Sequence, residues 1–145
     1  MTKDELRKYR KNQIELRQIE EQISRLEAAL LGGSPVYSDM PPTSQRAGDP
    51  GARIAKLMDL KDAYNAMWDI VIGQQTEIEK AIDSLAPTER TLMRARYVEG
   101  KKWEQIAVDM NYSIQRIWQQ HGSALKTLEF IRVKNMITCN QSNCE

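Results

Sequence analysis

Gln115, Arg116 and Gln119 are spaced so that a helix gathers them onto one face. A guanidinium forks onto guanine O6 and N7, and a carboxamide onto adenine N6 and N7, each worth about 1 to 3 kcal/mol of discrimination between base pairs. Ile114 adds an apolar surface suited to a thymine methyl, and Ser113 a hydroxyl at the head of the same stretch. Upstream stand Arg94, Arg96, Lys101 and Lys102, cations of the kind that meet phosphates and fix register without reading sequence. Lys101 and Lys102 are the first candidates, because they directly precede a short helix placed to cross a sugar-phosphate backbone. Other chemistry is poorly provided for. His121 is the sole histidine and has no nucleophile arranged beside it in the sequence, and Gly32-Gly33 lacks the Lys-Ser/Thr continuation of a phosphate-cradling loop. Cys139 and Cys144 offer two thiols where a closed zinc site needs four ligands. The expectation is therefore a protein without catalytic activity, cofactor or metal.

A reading face must be held outward by something, and the residues before it have the required pattern. Trp103, Ile106, Ala107 and Met110 recur at core spacing over a short helix from about Lys102 to Met110. Asn111 follows as a residue tolerant of positive φ, and Ser113 is an N-cap whose oxygen serves free amides of the next helix. Ala107 is the small residue where two helices cross, and Ile117 is the inward anchor of the second, 113–127. These are the marks of a helix-turn-helix. Trp118 has two readings: exposed, it needs a partner such as DNA sugar or another protein, and buried, it belongs to the core. Before this pair, Ser84-Leu85-Ala86-Pro87-Thr88-Glu89-Arg90 marks a break and a new helix start, and that helix ends at Glu99-Gly100, where glycine suits a left-handed cap.

The first half has a different pattern. Residues 1–31 lack Pro and Gly until Gly32, and Leu16, Ile19, Ile23, Leu26 and Leu30 alternate on a and d positions of a heptad, with Tyr9 at a and Asn12 at d by extension. Residues 32–50 hold Pro35, Pro41, Pro42 and Pro50 and read as a Pro/Gly linker. A second long helix, 51–83, starts at an Asp49 N-cap with Pro50 in its first turn and carries Leu57, Tyr64, Val71, Ile78 and Leu85 at a, with Leu60, Met67 and Ala81 at d. Leu16, Ile19, Ile23, Leu26, Leu30, Leu57, Tyr64 and Val71 are the candidate oligomerisation residues, and pairing within or between chains stays open. Trp68, Ile70 and Ile72 lie off the narrow seam, where a dimer would cover them. The expected fold is all-α: N-terminal long helices forming a coiled-coil hairpin or dimer, then a small helix-turn-helix domain over 84–134 and a polar tail over 135–145.

The charge agrees once it is resolved along the 145 residues. The total is only +1, yet residues 32–83 carry five Lys/Arg against eight Asp/Glu, while 84–145 carry nine against six. So modest a field assists phosphate contact without driving tight binding, which calls for a homodimer or a second DNA-bound partner. With 41% hydrophobic residues and no apolar run of membrane-spanning length, the chain reads as a folded cytoplasmic protein with no membrane partner.

Leu85-Ala86-Pro87-Thr88-Glu89-Arg90, Arg96-Tyr97-Val98-Glu99-Gly100, Trp103-Glu104-Gln105-Ile106-Ala107, Arg116-Ile117-Trp118-Gln119 and Ala124-Leu125-Lys126-Thr127-Leu128 together resemble region 4 of sigma-70-type transcription factors, in register and without gaps. The whole layout resembles small phage and prophage regulators of the RinA/ArpU late-gene activator type. These resemblances imply transcription control, with the recognition helix in the major groove of double-stranded DNA and RNA polymerase as a further partner. Ile114 and Trp118 stand where the sigma pattern commonly has basic residues, so the usual −35 element is not the expected target. Two other functions fit the layout: a small terminase subunit, which also joins a helix-turn-helix to oligomerising helices, and a sigma region 4 mimic that binds polymerase or another protein without DNA.

Overall fold

A computed structural model describes residues 1–31 and 49–141 of the chain, and the described residues form helices without strands. Five α-helices run in the order α1 Lys3–Leu30, α2 Pro50–Asp83, α3 Pro87–Met93, α4 Trp103–Met110 and α5 Ile114–Gln141. A wide π-type turn, Arg94–Val98, extends α3. The linker prolines Pro35, Pro41 and Pro42, the Gly32-Gly33 stop and Cys144 lie outside the described residues. The helices divide into two compact units, Met1–Lys11 with Val71–Glu145 and Asn12–Ile70.

In the unit Asn12–Ile70 the predicted seam positions are the less exposed residues of the two long helices. Leu16 is buried, and Ile19, Ile23, Leu26 and Leu30 on α1 are half-buried, as are Leu57, Leu60, Tyr64 and Met67 on α2. Lys61 Nζ meets Glu27 at 2.8 Å beside it. Asp49 caps α2, its Oδ1 accepting from the Gly51 amide at 3.1 Å, so the N-terminus of this helix follows the expected chemistry. Trp68 stacks on Tyr64 at 6.0 Å but stays 46% exposed, and Ile54, Met58 and Ile70 are exposed too.

The other unit has its core between the end of α2, the helix-turn-helix and the start of α1. Val71, Ile78, Ile82 and Leu85 are buried from the α2 side, Leu92, Met93, Ala95 and Tyr97 from α3 and its wide turn, and Ile106, Ile117, Ala124 and Leu128 from α4 and α5. Leu6 and Tyr9 of α1 are fully buried here. Position d of the heptad extended backward would be Glu5, but the fold buries Leu6 instead, so the apolar stripe leaves the seam register in the first turns of α1. A reciprocal capping box starts that helix: the Thr2 amide donates to Glu5 Oε2 at 2.6 Å, and the Glu5 amide to Thr2 Oγ1 at 3.3 Å. The bond from the Thr2 amide, first among the causes, holds the Glu5 carboxyl below its ordinary value.

Two local expectations need correction. α3 begins on Pro87 with Ala86 at the cap position and no side-chain cap, so neither Ser84 nor Thr88 starts it; the Arg90 amide bonds to the Ala86 carbonyl at 2.8 Å. Proline's fixed φ and missing N–H suffice at a first helical position. Helix α5 also runs on to Gln141, well beyond the expected 127 and into the stretch read as a polar tail. Nothing after Gly122 breaks a helix, since neither Gly nor Pro recurs.

Candidate nucleic-acid interface

The turn between α4 and α5 is built by backbone chemistry at two residues. Asn111 adopts a left-handed conformation, φ 58° and ψ 39°. Its amide bonds to the Val108 carbonyl at 3.1 Å, and the Tyr112 amide to the Ala107 carbonyl at 2.9 Å, the paired bonds of a Schellman motif. Ser113 then caps α5, its Oγ accepting from the Arg116 amide at 3.2 Å. Ala107 is buried at the crossing with Ile106 and Ile117, while Met110 is half-buried and Asn111 exposed. Gly100 takes φ 72° at the end of the wide turn, as its position demanded.

Beyond that core the first two turns of α5 bury Ile117 alone. Gln115, Arg116, Trp118 and Gln119 are exposed, Ser113 is exposed apart from its capping bond, and Ile114 is half-buried. Arg116 lies over the Tyr112 ring at 4.2 Å, a cation-π contact that holds the guanidinium beside the turn. The face is therefore polar, outward and flanked by one ordered cation. Trp118 is 56% exposed, so the reading in which it packs into the core does not hold.

The four proposed phosphate cations are differently engaged. Arg94 pairs with Asp83 at 3.1 Å, and Lys101 with both Glu99 at 3.1 Å and Asp109 at 3.0 Å. Those carboxylates, Asp109 first, raise the Lys101 ammonium above its ordinary value. Lys102 is exposed at the N-cap position of α4. Arg96 is half-buried: it donates to the Lys101 carbonyl at 2.8 Å and lies over the Trp103 ring at 4.3 Å. Burial, and then Arg10, lower its pKa.

Sequence reasoning passed over the side chains gathered around Trp103. His121 Nε2 lies 2.9 Å from the Tyr97 hydroxyl, and its ring meets the Trp103 ring edge-on at 4.9 Å. Burial, Lys3 and Arg96 together lower its pKa to about 4, so the imidazole is neutral at pH 7. Glu89 is also buried and accepts a bond from Ser123 Oγ at 2.6 Å, tying α3 to α5. Arg90 donates to the carbonyls of Asp83 at 2.9 Å and Leu85 at 3.1 Å, closing the end of α2. Among the described residues no cluster of His, Cys, Asp or Glu is able to hold a metal ion, and no helix is long and apolar enough to cross a membrane.

No curated protein and no solved structure matches the chain. Residues 75–128, which run from the last turns of α2 through the first half of α5, match the family model described as Sigma-70, region 4. That span contains the Schellman turn, the Ser113 cap, the buried Ile106, Ala107 and Ile117, and the exposed Gln115, Arg116 and Gln119. Residues 75–128 are thus similar to sigma-70 region 4 and form a helix-turn-helix with an outward polar face.

Proposed function

We propose that the chain is a phage-type transcriptional regulator of the RinA/ArpU kind that acts without catalysis in the bacterial cytoplasm and inserts the start of α5 into the major groove. The observation that carries this reading is the exposed polar face of Gln115, Arg116 and Gln119 above the single buried Ile117. On that face Arg116 addresses guanine and the two glutamines adenine, with Ile114 beside them for a thymine methyl. Lys102, Arg94 and Lys101 approach flanking phosphates, the latter two by exchanging exposed carboxylate partners that hold them weakly.

A homodimer is part of the proposal. Leu16 and Val71 are covered within one chain, so the seam residues Ile19, Ile23, Leu26, Leu30, Leu57 and Tyr64 have only their half-exposed edges to offer a second copy. The exposed apolar side chains of α2, Trp68 and Ile70 among them, extend those edges. Two recognition helices would double the modest phosphate attraction of each chain.

Retardation of fragments from the neighbouring genome at two salt concentrations tests the reading. The expected result is sequence-selective binding that Arg116→Ala with Gln119→Ala abolishes. Selective binding that survives both substitutions overturns the assigned face. Light scattering showing eight or more subunits would favour a packaging subunit over a regulator, and retention by RNA polymerase without DNA binding would favour a sigma mimic.

A further inference from the structure

Beside α5 lies a groove of about 340 Å³ whose walls include the start of α1 and the Trp118 face of α5. Lys3, Arg7, Arg10 and Arg96 line it, together with Trp118 and His121. None of the eight lining residues is acidic. The spacing of Lys3, Arg7 and Arg10 puts all three on one flank of α1, next to the stripe through which Leu6 and Tyr9 enter the core. The capping box at Thr2 and Glu5 fixes where that flank begins.

These cations are incompletely satisfied. Nη1 of Arg10 is buried and has no hydrogen-bond partner. Arg96 is half-buried against Trp103 and lowered in pKa by burial and by Arg10. Arg7 has Asp4 at 3.6 Å, an exposed pair that an incoming anion is able to displace. His121 is held neutral, with Nε2 engaged by Tyr97. A concave site with converging guanidinium groups and no carboxylate among its lining residues matches a phosphate monoanion, to which arginine binds through two parallel N–H donors. Trp118 adds an exposed apolar plane of the sort that packs on a deoxyribose. It is five residues from the Ser113 cap, about 7 Å along the helix axis.

We propose that the groove is a backbone clamp: Arg7, Arg10 and Lys3 seat one phosphodiester of the duplex whose bases α5 reads, with Trp118 against the adjoining sugar. The inference rests on the DNA-binding reading and extends it to residues outside the stretch that matches sigma-70 region 4. In this arrangement the first helix is part of the nucleic-acid interface. It contributes affinity and register, and the discrimination stays with α5.

The test compares the full-length protein with Arg7→Gln/Arg10→Gln and with Arg10→Lys, measuring affinity for a selected duplex and a scrambled one across salt concentrations. Neutralising the clamp should reduce the slope of log K against log salt by about one per lost phosphate contact and weaken both duplexes by about tenfold at 0.1 M salt. The ratio between the duplexes should hold, and Arg10→Lys should keep the slope. Should the double variant not fold, Lys3→Gln/Arg7→Gln, both exposed positions, serves in its place. A wild-type slope in the neutralised variant overturns the clamp alone, and so does an acidic protein occupying the groove without effect on that slope. Failure of the wild-type protein to bind any duplex overturns the DNA-binding reading and the clamp with it.

Discussion

Acidification should destabilise this protein through its single histidine. In the unfolded chain His121 takes a proton near pH 6.5, but in the fold burial comes first, followed by Lys3 and Arg96, in holding the ring neutral down to about 4. Between those two values the unfolded state binds more protons, so stability is intact above pH 6.5, declines as pH falls, and is fully withdrawn below about 4. At full strength the interval corresponds to about 3 kcal/mol. The ring is only half-buried, Lys3 is exposed and Arg96 half-buried, so about 1.5 kcal/mol is the expected loss after screening. The control is His121→Gln, which keeps a hydrogen-bonding group toward Tyr97 and cannot titrate. Urea unfolding of both proteins at pH 7.5, 6.5, 5.5 and 4.5, followed by tryptophan emission, isolates the ring because every carboxylate titrates in both. Wild type should lose about 1 kcal/mol more than the variant by pH 4.5, the gap opening only below pH 6.5. Parallel curves, or an imidazole resonance titrating near 6.5 in the folded protein, would refute the reasoning.

Two further outcomes concern the helix-turn-helix itself. Asn111→Val places a β-branched side chain at φ 58° and should cost about 1 to 2 kcal/mol in chemical denaturation, whereas Asn111→Gly should stay within about 1 kcal/mol of wild type; equal effects would mean that the left-handed turn is not what constrains the position. Ser123→Ala removes the donor to the buried Glu89 carboxylate and should lower stability by about 1 to 3 kcal/mol with an unchanged denaturant slope, and a shift under 0.5 kcal/mol would show that water replaces the hydroxyl at no cost.

The helix-turn-helix was legible because its determinants are local. Asn111 and Ser113 act on amides within a few residues, and the spacing of Ile106, Ala107 and Ile117 is a property of one short stretch. The lower exposure of the seam positions from Leu16 to Leu30 was legible for the same reason of periodicity, and what those side chains pack against was not, since spacing alone does not choose between one chain and two. The role of α1 in the second unit stayed hidden for two physical reasons. Its cations Lys3, Arg7, Lys8, Arg10 and Lys11 stand against only Asp4 and Glu5, but averaging over residues 1–31 dilutes them to near neutrality. Extending the heptad backward also treated Tyr9 as one more seam position, when Leu6 beside it and the Thr2 capping box already marked a stripe of its own. The wide turn at Arg94–Val98 carries no local signature; it accompanies the packing of Tyr97 on His121 and of Arg96 on Trp103.

The burial of Leu6 and Tyr9 in a core otherwise drawn from Val71 onward makes closing that core a late event in synthesis. Leu6 and Tyr9 leave the ribosome well before the rest of that core, of which Ile117 and Leu128 are translated more than a hundred residues afterward. Contacts of such long sequence separation form slowly, because the intervening chain must surrender its freedom before any of them is made. That core therefore closes only once α5 arrives, and the helix proposed to read DNA is ordered in the same step that covers Leu6 and Tyr9.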